Sequence, residues 1–199
     1  MTRSEKIIGS ISRLMARIGG VLLTAAAVLV AVEVVCRYTQ LLTFSFGTEL
    51  STYALAIGAT WSLAHAVFER AHVRVDVVCR RFPDLPRAAF DVLAMAALVV
   101  VGLVLTFGAL EMTQTSFGLS SKANTTLGTP IALPQGAWTF GLVWFTFVAA
   151  YRTVCAGMAL LRRDFAETYR IAASPSQDDE VQEAISETDQ YLDKKEATP

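Results

Sequence analysis

The sequence predicts an all-α, polytopic membrane protein with four transmembrane helices and both termini in the cytoplasm. Three observations carry that prediction. The 199-residue chain is 53% apolar with a mean hydropathy of +0.45, both high for a soluble domain. Four apolar runs of membrane-spanning length occur at about residues 18–36, 50–68, 88–112 and 134–154. Lysine and arginine gather beside alternate connections. The N-terminus has four, the loop after the second run five and the segment after the fourth run four. The other two loops have one each, Arg37 and Lys122. The positive-inside rule then puts both termini and the 69–91 loop in the cytoplasm. The net charge of −1 hides a further division. From Ala172 onward eight acids and two lysines give −6, so residues 1–171 carry +5. Basic residues lie between apolar runs, not on one contiguous patch, which excludes a nucleic-acid partner.

Residues 1–17 read as an amphipathic lead-in. Arg3, Lys6, Arg13 and Arg17 supply charge, while Ile7, Ile8, Ile11, Leu14 and Met15 recur at three- and four-residue intervals. A signal peptide is rejected, because Ala25-Ala26-Ala27 would leave too short an apolar core and no cleavage site follows Val32. The four-helix membrane domain occupies residues 18–161. Near the far end of its first span Glu33 and Arg37 are four residues apart, so a helix brings them together as an ion pair.

The second span follows Glu49 and runs uncharged from Leu50 to Phe68. Ala54, Gly58, Ser62 and Ala66 recur every four residues, giving one face of small side chains against which another helix can pack closely. Trp61 lies mid-span, away from the interfacial belt, and contacts either a partner helix or the internal bundle. A polar elbow ends the span, with Arg70, His72, Arg74 and Asp76 as its anchoring residues at the cytoplasmic surface. Asp84 and Pro86 mark the start of the third helix. Its pattern extends to Phe117, longer than a bilayer is thick, so it must tilt or protrude. Residues 116–136, rich in Ser, Thr, Asn, Gly and Pro, read as a loop. Pro134 opens the fourth span, Trp138 anchors its outer end and Arg152 snorkels at the inner one. Residues 162–199 read as a polar, acidic cytoplasmic tail, mostly disordered.

No catalytic, cofactor-binding or metal-ligating residue is predicted. Cys36, Cys79 and Cys155 form no C-x-x-C pair and read as small apolar fillers. His65 and His72, seven residues apart on one side and at one end, do not face each other across a bundle as paired haem ligands must. Glu33, Arg37 and Glu49 form a candidate polar cluster at the periplasmic face; Glu111 either joins it or is an ordinary interfacial charge. Ionisable groups do not continue through the span centres, so the chain alone offers no ion path.

The order of these features resembles a known family. Arg37-Tyr38 after span one, Glu49 opening span two and His72-Val73-Arg74-Val75-Asp76 in the elbow look like the small permease subunit of tripartite ATP-independent periplasmic (TRAP) transporters, the DctQ-like family. Leu127-Gly128-Thr129-Pro130, Leu133-Pro134-Gln135 and Gly141 are similar to that family's entry into its last helix. The likeness runs from about Ile18 to Leu161. Two positions depart from the pattern. Phe46-Gly47-Thr48 precedes a lone Glu49 where a tryptophan and paired acids are usual, and Ser62 stands where glycine is common. The resemblance implies an inner-membrane scaffold subunit bracing a large permease that imports an organic acid with sodium. A periplasmic substrate-binding protein and membrane lipids would be its other partners. Two alternatives remain at this point: a four-helix electron-carrier subunit binding haem or quinone, and a stand-alone adaptor acting through the acidic tail.

Overall fold

The computed structural model describes residues 3–39, 47–69, 83–125, 127–172 and the positions 185, 186 and 188. Within them the chain is helical: α1 (Arg3–Tyr38), α2 (Gly47–Phe68), α3 (Asp84–Gly118), α4 (Ala132–Leu161) and the short α5 (Phe165–Ala172). The amphipathic lead-in and the first apolar run are one continuous helix of 36 residues. At 1.5 Å per residue that is roughly 54 Å, well beyond a hydrocarbon core of about 30 Å.

The long helices pack in the order α1–α2–α4–α3, and α5 lies against α3 and α4. Burial follows this order. In the most apolar stretch of each helix, 44% of α4 is buried inside the protein, against 22% of α3 and 6% of α1. The outer helices therefore turn large apolar side chains outward, among them Val21, Val28 and Val35 of α1 and Val100, Val104 and Phe107 of α3. Such a surface suits lipid or protein rather than water. A small core of Ala64, Val67, Phe145 and Val148 joins α2 to α4.

Three helices, α1, α3 and α4, are long and apolar enough to cross a membrane by length and composition. The 22-residue α2 is not among them, and its side chains show why. It carries Tyr53, Thr60, Trp61, Ser62 and His65, which lower its hydropathy, and it packs between two neighbours. Several of these groups bond within the protein: Thr60 donates to the Ala56 carbonyl at 2.9 Å, Ser62 to Gly58 at 2.7 Å and Trp61 Nε1 to Ala137 of α4 at 2.9 Å. A central helix can carry polar groups if the protein, not the lipid, receives them.

Each crossing closes on a glycine. A Cβ at Gly19 would sit 2.9 Å from the Gly58 carbonyl oxygen, where α1 meets α2. One at Gly141 would sit 2.6 Å from Thr60 Oγ1, where α4 meets α2, and one at Gly102 would sit 2.8 Å from Thr146 Oγ1, where α3 meets α4. Backbones this close gain van der Waals contact, which drives helix association in lipid. Threonines add hydrogen bonds between α3 and α4, Thr106 to Thr146 and Thr113 to Thr139, both at 2.9 Å.

α1, α3 and α4 run beyond the expected spans at both ends, whereas α2 ends at Phe68 as expected. α3 continues to Gly118, and the link before α4 is folded, not irregular. Lys122 and Pro130 form a bridge, the Ala123 N–H donates to Thr129 and the Ile131 N–H to Ser121. Ser120 (φ 50°) and Arg163 (φ 57°) take the left-handed position after α3 and α4. In each case that residue's own N–H and the next one turn back onto the helix carbonyls, Ser120 and Ser121 onto Phe117 and Ser116, and Arg163 and Asp164 onto Leu160 and Ala159. Arg163 reverses the chain so that α5 returns to the bundle. The expected tail from residue 162 is thus revised for residues 165–172, because Thr168, Ile171 and Ala172 are buried, the last two beside Met95 and Ala156.

Candidate functional site

The predicted polar residues at the junction of α1 and α2 are held by hydrogen bonds. Glu33 and Arg37 pair at 2.6 Å. The other Glu33 oxygen accepts the Gly47 N–H at 2.6 Å, fourteen positions on in the sequence. Gly47 is the first residue of α2, so a carboxylate from α1 accepts one of the N–H groups that a helix N-terminus leaves without an intrahelical partner. A negative charge there also complements the positive end of the α2 dipole. Glycine leaves room for this contact, since a Cβ at position 47 would displace the Glu33 carboxylate.

Glu49 sits in the same first turn and is 6% exposed. A carboxylate this buried is costly unless several donors reach it. Tyr53 donates to Oε1 at 2.8 Å, Thr125 donates to Oε2, and Thr129 lies beside it. Thr125 and Thr129 belong to the folded link between α3 and α4, with Gly128 in the left-handed region (φ 58°) turning the chain between them. One glutamate therefore joins the start of α2 to the link that leads into α4. Gln135, in the first turns of α4, is 7% exposed, and its Oε1 has no donor among the described residues.

Glu33, Arg37 and Glu49 are thus gathered at one end of the helix row. Glu111 is exposed and outside this cluster. Gly58 lies against Gly19 and Leu23 of α1. Ala54, Ser62 and Ala66 are half-buried on the same face. Trp61 turns the other way, donating to α4 and meeting Phe140 edge-on with ring centroids 6.4 Å apart. The elbow residues Arg70, His72, Arg74 and Asp76, and Cys79, lie outside the described residues.

Some partners were missed from sequence. Tyr53 and Thr125 give no periodic signal, since a hydroxyl's partner depends on how a distant loop folds. Asp91 is buried near the start of α3 and engaged with neighbouring groups. At the opposite end of the row, Arg152 stacks 4.9 Å over Phe68 and donates to the Ile171 carbonyl at 2.7 Å, and Arg87 stacks 4.9 Å over Tyr169. In α5 the Glu167 carboxyl is held below its ordinary range, first by the hydrogen bonds from Arg170, whose own guanidinium is pushed up by the same partner.

Among the described residues no group of three or more His, Cys, Asp or Glu side chains is placed to hold a metal ion. The geometry instead joins helices to each other and to a link. The family model for tripartite ATP-independent periplasmic transporters, DctQ component, matches residues 26–157. No curated protein sequence and no solved structure matches the chain. The matched segment contains Glu33, Arg37, Glu49 and the link that Glu49 holds. The chain belongs to the DctQ family and is a small membrane subunit of a TRAP transporter.

Proposed function

We propose that this subunit braces the large permease of a sodium-coupled organic-acid importer, which a periplasmic substrate-binding protein supplies, and has no transport path of its own. The supporting observation is the use made of polar groups between the helices. Thr106 faces Thr146, Thr113 faces Thr139, and Trp61 faces the Ala137 carbonyl. These groups fasten helix to helix. The outward apolar faces of α1 and α3 then offer surface to a larger membrane protein and to lipid.

In this reading α2 is a fourth crossing, with both termini cytoplasmic and the Glu33–Arg37–Glu49 cluster at the periplasmic face of the bacterial inner membrane. The elbow formed by Arg70, His72, Arg74 and Asp76 sets the depth of α2 against anionic headgroups. The small-residue face of Ala54, Gly58, Ser62 and Ala66, with Trp61 on the opposite side, holds the bundle in the shape the large subunit meets.

Reconstitution tests the role. Proteoliposomes containing the large permease and this chain, given the binding protein and an inward sodium gradient, should take up an organic acid. Omitting this chain should abolish or sharply reduce uptake, and this chain alone should support none. Uptake by this chain alone would overturn the proposal. Topology is tested with an impermeant thiol reagent after Cys36, Cys79 and Cys155 are replaced by alanine. Gln40→Cys should label in cells with permeabilised outer membranes, and Arg74→Cys only after lysis.

A further inference from the structure

At the end of the row opposite Glu33 and Glu49, a cavity of about 570 Å³ opens between α1, α2, α4 and α5. Its α1 wall includes Lys6, Gly9, Ser10 and Arg13. That spacing puts all four on one helical face. The two small residues leave room between two long cations, and a Cβ added at Gly9 would already touch Phe68 at 3.6 Å. Across the cavity stands Arg152, held over the Phe68 ring and bonded to the Ile171 carbonyl. Arg170 also lines it, engaged with Glu167. Two carboxylates share the wall, Glu5 and Glu69, with His65 3.8 Å from the latter. Arg170 is balanced by Glu167, so with His65 counted as neutral three further cations, Lys6, Arg13 and Arg152, face two anions. Lys6 and Arg13 have no ion pair or hydrogen-bonding partner for their charged groups among the described residues.

We propose that this cavity binds one phosphate ester anion, the headgroup of an anionic phospholipid, with Lys6 and Arg13 as its principal ligands. An ammonium and a guanidinium converging on one space match the charge and the acceptor oxygens of a phosphate. Depth favours a lipid source over a soluble one. Arg13 precedes the apolar run that begins at Ile18, and Phe68 is the last residue of the uncharged run in α2, so the cavity lies where headgroups lie. Beside the Lys6–Arg13 face, α1 exposes Ile7, Ile11, Leu14 and Ile18 in one stripe, along which acyl chains can lie. Basic pockets between membrane helices are suited to such headgroups. Lys6 to Arg13 and Arg170 fall outside the residues 26–157 that define the family match. The site does not depend on the bracing role or on which way the chain faces.

The test uses the purified full chain in detergent, stripped of lipid and titrated with phosphatidylglycerol or phosphatidylcholine under native mass spectrometry. One phosphatidylglycerol should be retained in preference to phosphatidylcholine. Lys6→Gln with Arg13→Gln should weaken its binding about thirtyfold, the factor implied by two cation–headgroup contacts of about 1 kcal/mol each. Arg3→Gln with Arg17→Gln makes the same charge change outside the cavity and should leave binding intact. Gly9→Leu, which fills the cavity without altering charge, should also reduce retention while helicity by circular dichroism is unchanged. Binding of inorganic phosphate that requires Lys6 and Arg13, with neither lipid retained, would uphold the phosphate site and assign it a soluble ligand. Equal retention of the two lipids, or equal losses in the two double variants, would overturn the proposal.

Discussion

Replacing Gly19 by alanine adds one methyl group where the α1–α2 crossing has no space for it. The new Cβ would lie 2.9 Å from the Gly58 carbonyl oxygen and 3.1 Å from the Gly58 Cα. Both are backbone atoms, so no change of rotamer relieves the contact and a helix must move. One residue further on, a Cβ at Gly20 meets nothing within 4 Å. Both substitutions gain the same helix propensity, about 1 kcal/mol. The difference between them therefore isolates the packing cost, roughly 1–3 kcal/mol for an overpacked contact. Gly19→Ala should lose up to about 2 kcal/mol net, and Gly20→Ala should be neutral or slightly stabilising. Gly58→Ala should lose a similar amount, because a Cβ there would meet Leu23 Cγ at 2.8 Å and the Gly19 carbonyl oxygen at 3.0 Å. The assay is detergent-titrated unfolding of the full chain in mixed micelles, followed by energy transfer between dyes on α1 and α2. If Gly19→Ala and Gly20→Ala unfold together, the crossing is not closed on these glycines and the reasoning fails.

In the same assay Glu33→Ala should cost about 1–2 kcal/mol, by leaving the Gly47 N–H at the start of α2 without its acceptor. Arg37→Ala should cost less than about 1 kcal/mol, because Arg37 is 62% exposed and its ion pair is screened; equal losses would mean the pair, not the cap, matters. Thr125→Val keeps the side-chain shape but withdraws a donor from Glu49. Amide exchange across residues 119–131 should then accelerate by about tenfold or more, as expected for losing a hydrogen bond to a charged group, whereas unchanged exchange would show that the link is held by other contacts. The Glu167–Arg170 pair predicts a pH response. A carboxyl whose folded-state value is depressed stabilises above its unfolded value and loses that contribution as pH falls through the folded one. Amide exchange in Thr168–Ala172, corrected for intrinsic rates, should be level at neutral pH and rise below the ordinary glutamate range. Glu167→Gln should remove that response, and an identical profile in the variant would refute it.

The all-helical architecture was legible because membrane helices announce themselves locally. Apolar runs, the small-residue repeat and the Glu33–Arg37 spacing each depend on residues within a single helix. So did the family likeness, whose motifs keep their order along the chain. Other features were beyond any window of sequence. That Gly58 meets Gly19, and that Trp61 meets α4, depends on the order of packing, which periodicity does not specify. The helix α5 reads as tail because it is short and much less apolar than the spans, and only the reversal at Arg163 brings Ile171 and Ala172 to a core.

Sequence by itself determined the helical class, the approximate limits of the apolar runs and the family. These follow from hydropathy, helical period and motif order, all properties of neighbouring residues. Only the tertiary structure decided that Glu33 completes the N-terminus of α2, that Glu49 holds a link 76 residues away, and that Lys6 and Arg13 face Arg152 across a cavity. The physical reason is the same in each case. A charge or a hydroxyl states what it needs, but the partner that satisfies it is chosen by which helices the fold sets side by side.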